Sequence, residues 1–223
     1  FMSVLGALDK TDVNKKSFDI LIKLDYFSEF GHIHQLLSQV KVYAELSALY
    51  EKFKTCKQLN KSDLILPLDE VMECCGKATE KQLREIDNDK LVKVFRKHYP
   101  SILKQISDKY PYQPTTISDK IKYEVEKLGY TSLIDESADW NNYALLSSET
   151  NQWGNTFYNL YHIQTGITKS VKLDKKRCYI AKVEVGDVLL CVFDVKKKWK
   201  MVDGKMTQID EVEELLISYA IKD

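Results

Sequence analysis

The first half of the chain spaces its apolar residues with the period of an α-helix. Between residues 33 and 53 they recur every three or four positions, which places them on one helix face. They are Ile33, Leu36, Leu37, Val40, Tyr43, Ala44, Leu49, Tyr50 and Phe53. The same period predicts helices over 79–99 and 118–128, and Thr79 and Gln82 at the start of the first have the spacing of a capping box.

From residue 143 onward the apolar period falls to two, which is typical of strands. The segments predicted as strands are 143–148, 156–163, 168–173, 188–193, 198–202 and 206–209. Asp203-Gly204 is the strongest hairpin signal, because a type I′ turn needs positive φ at both central residues. About five short antiparallel strands suit a small closed barrel better than a sandwich of about seven. Residues 210–218 are predicted to form a closing helix capped by Asp210.

These two patterns predict an α+β protein, with an N-terminal helical module followed by a small antiparallel β-barrel. All four prolines precede residue 140 and all three tryptophans lie from Trp140 onward, which indicates two modules. We expect a helical module over 1–115, a connecting helix and linker over 116–142, and a barrel with its C-terminal helix over 143–223. The prolines within 110–114 favour an extended linker there.

Composition indicates a folded protein, since 44% of residues are hydrophobic and 30% are charged. The net charge is zero, so any surface for nucleic acid must be local. The longest uncharged run, 150–168, holds too many polar side chains for a membrane span. Five cysteines without C-x-x-C spacing and no signal peptide favour a cytoplasmic location. Phe1 ahead of Met2 indicates a piece of a longer protein.

Candidate catalytic and metal-binding residues are few, and none forms a set. Asp87 and Asp89 make the only D-x-D, inside a predicted helix where side chains two residues apart diverge. His32 and His34 lack further ligands nearby, and Cys74-Cys75 is typical of buried structural thiols. No common nucleotide-binding or hydrolase motif occurs. We therefore expect no catalytic residue, no metal site and no cofactor.

The most informative charge pattern lies between Lys169 and Lys205. Eleven basic residues stand there against five acidic ones, a net charge of +6. Trp199 lies inside the lysine run 196–200, and a basic groove with aromatic platforms suits single-stranded nucleic acid. The alternative is a hairpin whose lysines keep it soluble and whose Trp199 lies in the core. The pattern alone supports both interpretations equally.

Two segments carry a resemblance to a known family. The first, 13–31, matches a V-N-x-R/K pattern followed by L-I-K-x-G-A-F-D-x-hydrophobic-G, through Leu21 to Lys23, Phe27 and Gly31. The second, 123–130, reads Y-E-V-E-K-L-G-Y and is similar to an E-x-E-x-L-G-hydrophobic helix, and a G-D turn follows at 186–187. The chain thus resembles the C-terminal segment of the bacterial replicative DNA polymerase III alpha subunit. Asp25-Tyr26 departs from the usual Gly-Ala.

The resemblance implies that the helical module ends a helix-hairpin-helix region and that the barrel is an OB-fold. It implies binding of single-stranded template DNA without sequence specificity, and no polymerase activity, because the family's catalytic aspartates lie upstream. The implied partners are the template, the rest of the polymerase chain, and the sliding clamp or other replisome subunits, with no membrane. A protein interaction module within the replisome is the alternative function.

OB-folds bind strands through one face and through the loops joining strands one to two and four to five. In this chain those loops are expected at 149–155, with Trp153, and at 194–200, with Trp199. The candidate nucleic-acid-binding residues are Trp153, Lys169, Lys172, Lys196, Lys197, Lys198, Trp199 and Lys200.

Overall fold

A computed structural model describes residues 5–6, 14–178 and 182–222. It contains both helices and sheets, which confirms the α+β class. The chain divides into a helical unit, Phe1–Ile22 with Phe27–Pro114, and a barrel unit, Lys23–Tyr26 with Thr115–Asp223. Phe1, Met2 and Val13, used in the sequence analysis, lie outside the described residues. Within those residues, no helix is both long enough and apolar enough to cross a bilayer.

One apolar cluster of the first unit receives side chains from α2 (Ile33–Thr55), α3 (Leu68–Met72), α4 (Asn88–Lys97) and α5 (Tyr99–Ser107). Helix α1 (Lys15–Lys23) precedes them, and its buried Phe18 and Ile22 lie outside this cluster. The helix predicted over 33–53 is confirmed as α2, but its buried face differs from the predicted stripe, since Ala44 of that stripe is exposed. Its buried side chains include Val42 and Leu46, which the stripe did not contain, and Phe53, which it did. They pack in one cluster with residues of α4 and α5, such as Phe95. This cluster is the core of the helical unit.

A three-stranded antiparallel sheet belongs to the same unit, and one of its strands lies where the sequence predicted the first turns of a helix over 79–99. Its strands, in the order β1–β3–β2, are β1 (Gln58–Asn60), β2 (Cys75–Ala78) and β3 (Gln82–Ile86). Thr79 Oγ1 accepts a hydrogen bond from the Gln82 backbone N–H as a cap would, but the two residues form the turn into β3. Leu83 then pairs with Leu59 across the sheet, and both are buried. Helix α4 begins only after Asp87, whose side chain caps it.

The second unit begins with α6 (Ile117–Leu128) and continues into five strands. The helix starts at a capping box formed by Thr116 and Asp119, and it ends at Gly129, where φ is +80°. Ile121 and Val125 of α6 are buried in one cluster with apolar residues of the sheet. The segment predicted to connect the modules therefore contributes to the core of the barrel unit.

The five strands pair in a closed ring in the order β4–β5–β6–β8–β7. They are β4 (Asn142–Thr150), β5 (Thr156–His162), β6 (Thr168–Leu173), β7 (Val188–Val202) and β8 (Lys205–Ile221). All neighbouring pairs are antiparallel except β6 with β8, which is parallel. Leu145, Leu160, Leu189, Cys191 and Leu216 are among the fully buried side chains of the interior.

The C-terminal helix predicted over 210–218 is wrong, because these residues belong to β8. Leu216 is fully buried in the barrel and lies opposite Phe193 of β7. Packing of this kind overrides a local helix preference. The loop expected over 194–200 is also wrong, since β7 runs without a break from Val188 to Val202.

Candidate nucleic-acid interface

Strands β7 and β8 continue as a two-stranded ribbon, here called the β-arm (residues 195–214). Closer to the barrel, β7 also pairs with β4, and β8 also pairs with β6. Within the described chain, residues 195–214 form ladder pairs only between β7 and β8. The tip is the predicted Asp203-Gly204 turn, with φ +49° and +77°. Both values are positive, as a type I′ turn requires. The sequence signal for this turn is confirmed.

One face of the β-arm carries several apolar side chains that are open to solvent. Alternate residues of a strand share a face, and directly opposite residues of two strands share it too. Met201 lies opposite Met206, and Lys197 lies opposite Val212. Five apolar side chains of this face are each more than half exposed: Val195, Trp199, Met201, Met206 and Val212. These five side chains are here called the apolar strip of the β-arm, and polar residues of the same face such as Lys197 interrupt it.

Trp199 lies on this apolar strip and is 59% exposed. Its register partner on β8 is Gln208, a polar residue that is also exposed. Trp199 is therefore not a core residue, and its ring is accessible to a planar ligand. The alternative that placed it in the core is excluded.

The lysines of the run 196–200 all form ion pairs. Lys196 Nζ lies 3.2 Å from Asp174, and Lys197 Nζ lies 3.1 Å from Asp210. Glu211 holds two more lysines, with distances of 3.4 Å to Lys198 Nζ and 2.8 Å to Lys200 Nζ. These carboxylates come from β8 and from the segment after β6, so the lysine run is not an isolated cationic patch.

The pKa values of the carboxylates reflect these pairs. A hydrogen bond from Arg177, and then one from Lys196, lowers the pKa of Asp174 to about 2. Hydrogen bonds from Lys200 and Lys198 lower the pKa of Glu211 from its usual value. Both carboxylates are therefore ionised at neutral pH. Over 169–221, eleven basic residues face nine acidic ones, so the +6 counted to Lys205 falls to +2 once β8 is included.

Lys169 and Lys172 lie three residues apart on β6, in different surroundings. Lys169 Nζ lies 2.9 Å from Glu214 and 3.5 Å from the ring centroid of Phe193, a cation–π geometry. Only about a quarter of its side chain is exposed, so it stabilises the end of the barrel. Lys172 lies opposite Phe157 on one side and Leu215 on the other, and within the described residues it has no carboxylate partner.

Trp153 lies in the turn between β4 and β5 and is 76% exposed. Asn151 Oδ1 accepts hydrogen bonds from the backbone N–H groups of Trp153 and Asn155, which orders the turn. Lys175 Nζ donates a hydrogen bond to the backbone carbonyl of Gly154 in this turn at 2.6 Å, and the preceding residue, Asp174, pairs with Lys196 at the base of the β-arm. The Trp153 turn is therefore connected to the base of the β-arm through the segment after β6.

Sequence reasoning missed the apolar neighbours of Trp199 and the acidic partners of the lysines. The alternation Val195, Lys197, Trp199, Met201 is visible in the sequence and could have indicated an apolar strand face. The acidic partners could not be found that way, because Asp210 and Glu211 were assigned to a helix. Trp140, 64% exposed, was not considered as a site residue either.

No set of three or more His, Cys, Asp or Glu side chains in the described ranges could hold a metal ion. Asp87 caps α4 and Asp89 follows in its first turn, so their arrangement is that of a helix N-terminus. Comparison of the chain with protein-family models, with curated proteins and with solved structures found no match. The interface is therefore interpreted from its geometry.

Proposed function

We propose that the barrel and the β-arm bind single-stranded DNA without sequence specificity, as a non-catalytic part of a polymerase III alpha subunit. The template strand and the rest of the polymerase chain are the proposed partners. The observation that carries the proposal is the exposed ring of Trp199 on the β-arm, with Lys197 on the same face. Bases stack on such rings whatever their identity, because every base has a π-face.

The strand pairing supports an OB-fold assignment for the barrel. An OB-fold is a five-stranded Greek-key barrel whose third and fifth strands are parallel neighbours. In this barrel the third and fifth strands are β6 and β8, and they pair in parallel at Lys172 with Leu215. In this proposal the β-arm replaces the loop between strands four and five, and the Trp153 turn is the loop between strands one and two.

The lysines have a secondary role in this proposal. Each lysine of 196–200 must exchange a carboxylate for a phosphate when DNA binds. This exchange contributes less binding free energy than a phosphate contact from an unpaired lysine, because the freed carboxylate stays close to the phosphate and repels it. Stacking on Trp199 is therefore the main favourable contribution, and the salt dependence of binding is shallower than +6 over 169–205 would predict.

A second candidate function is a protein interaction within the replisome. It is favoured by the apolar strip itself, since Val195, Met201, Met206 and Val212 offer no stacking plane but suit an apolar protein partner. Exposed apolar surface rimmed by charged residues is typical of interaction sites. The near-neutral charge of the region is compatible with this function too.

Fluorescence anisotropy with a labelled oligothymidylate tests the first candidate. We expect Trp199→Ala to weaken binding by about 5- to 150-fold, equivalent to about 1–3 kcal/mol for one stacked base. Trp140→Ala is the matched control, because Trp140 is equally exposed but lies outside the β-arm. Its affinity should stay within about twofold of the wild type, by the same arithmetic. Equal affinities for wild type and Trp199→Ala would leave the protein interaction as the remaining candidate.

A further inference from the structure

The helical unit contains an open pocket of about 410 Å³ beside its three-stranded sheet, here called the Arg84 pocket. Its lining residues are Cys56, Lys57, Lys77, Arg84, Glu85, Ile86 and Asn88. The volume lies in the range of small-molecule sites. No residue of the β-arm lines this pocket, so a ligand of the pocket is argued independently of DNA binding by the barrel.

The pocket carries three cationic side chains and one carboxylate. Glu85 is already paired with Lys77 at 2.5 Å. The Arg84 guanidinium donates a hydrogen bond to the neutral Gln82 Oε1 at 3.0 Å. Within the described residues, neither Arg84 nor Lys57 has a carboxylate partner. The pocket therefore has a net charge of +2 and two cations without a carboxylate partner.

Register places two cations of the pocket opposite each other, and Glu85 compensates only one of them. Lys77 of β2 lies directly opposite Arg84 of β3, so two like charges share one face of the sheet. Like charges in directly opposite positions destabilise an antiparallel pair. An anionic ligand bound between the two side chains would be attracted to both and would offset the repulsion between them.

The backbone beside the two cations is also unusual. Glu85 has φ +57°, a left-handed conformation that non-glycine residues adopt at an energetic cost and that is concentrated at functional sites. Its carboxylate lies over Gly76, where an added Cβ would come within 2.6 Å of Glu85 Oε2. The strained residue and the glycine together hold the carboxylate against Lys77, which leaves the Arg84 side of the pocket positive.

The remaining walls add no negative charge. Burial raises the pKa of the Cys56 thiol, so it stays protonated at neutral pH. The Asn88 side-chain amide donates hydrogen bonds to the backbone carbonyls of Phe53 and Cys56. Ile86 supplies an apolar surface. A ligand with one compact anionic group therefore matches this pocket.

We propose that the Arg84 pocket binds a phosphate group, with Arg84 and Lys57 as the principal ligands and Lys77 as a third. The planar guanidinium of Arg84 can donate two parallel hydrogen bonds to phosphate oxygens, a geometry that lysine cannot reproduce. The phosphate could belong to a free nucleotide or to a nucleic-acid backbone, which present the same oxygens. The inference does not rest on the proposed function of the barrel.

Backbone amide NMR titrations at constant ionic strength test the proposal. The probes are inorganic phosphate, adenosine monophosphate, and an oligothymidylate without terminal phosphates, the last on a Trp199→Ala background. We expect saturable shifts at Lys57, Lys77 and Arg84 with phosphate. Arg84→Gln should weaken phosphate binding by about tenfold or more, because hydrogen bonds to charged groups are the strong ones. Lys57→Gln should also weaken it.

Lys93→Gln is the matched control, because Lys93 is an exposed lysine of α4 and its loss changes the net charge equally. It should leave phosphate binding unchanged. Tighter binding of the monophosphate assigns the pocket to free nucleotides, and tighter binding of the oligonucleotide assigns it to a nucleic-acid backbone. Absence of saturable shifts with every probe overturns the proposal. Equal weakening by Lys93→Gln and Arg84→Gln overturns it too.

Discussion

Glu211 forms ion pairs with two lysines of the β-arm, so its substitution tests how much electrostatic attraction contributes to DNA binding. Its carboxylate pairs with Lys200 at 2.8 Å and with Lys198 at 3.4 Å. Glu211→Gln removes the charge with little change in side-chain size and frees both lysines for phosphates. We therefore expect the variant to bind oligothymidylate more tightly than the wild type at low salt.

The magnitude follows from counterion release. Each additional phosphate contact steepens the plot of log K against log salt by about 0.7 for single strands, so two freed lysines add about 1.4. Between about 50 and about 200 mM salt, this slope corresponds to an additional loss of affinity of about sevenfold. The wild type, whose lysines stay largely paired, should show the shallower line.

Anisotropy titrations at four salt concentrations measure the two slopes. Glu136→Gln is the matched control, because Glu136 is exposed in the same unit and its side chain forms no ion pair within the described residues. The control should reproduce the wild-type slope. If Glu211→Gln and Glu136→Gln give the same slope, Lys198 and Lys200 do not contact phosphates, and the electrostatic part of the proposal is refuted.

Two further predictions concern stability. Leu216→Ala should lower the free energy of unfolding, measured in urea, by about 2–5 kcal/mol, because Leu216 is fully buried. Leu190→Ala, at an exposed leucine of β7, should lower it by less than about 1 kcal/mol. Similar losses for the two variants would contradict the assigned barrel interior. Asp174 has its pKa lowered from 3.8 to about 2, so its stabilisation is complete above pH 3.8 and is lost as the pH falls through about 2. The Tm difference between wild type and Asp174→Asn should therefore shrink over that range, and a constant difference would show that the Arg177 and Lys196 contacts do not stabilise the fold.

Local patterns predicted the parts of the fold that depend on local physics. The Asp203-Gly204 turn was identified because few residue pairs accept positive φ twice in succession. Strand β6 was located from its alternation, since its inward side chains are buried and its outward ones are not. Helix α2 was located from its apolar spacing, although the predicted stripe missed the buried Val42 and Leu46. In each case the residues themselves determine the structure.

The errors arose where a local signal fits two structures. The spacing of Thr79 and Gln82 is compatible with a capping box and with a turn. The structure adopts the turn because the strand that follows it pairs with Leu59 of β1. The residues after Asp210 favour a helix locally, but β7 offers them a complete strand partner. The same error hid the acidic side of the β-arm, because the partners of a lysine depend on register rather than on sequence distance.

The β-arm has to be stabilised without a core, and this constrains how it can bind DNA. A two-stranded ribbon is only marginally stable by itself in water. One face of the β-arm is open, so its order depends on the tip turn, the backbone ladder and the cross-strand ion pairs. A lysine that leaves its carboxylate for a phosphate weakens one of these supports, whereas a base stacked on Trp199 weakens none. Stacking is therefore the contribution that adds affinity while the β-arm stays ordered, and Trp199→Ala examines it more directly than any lysine substitution.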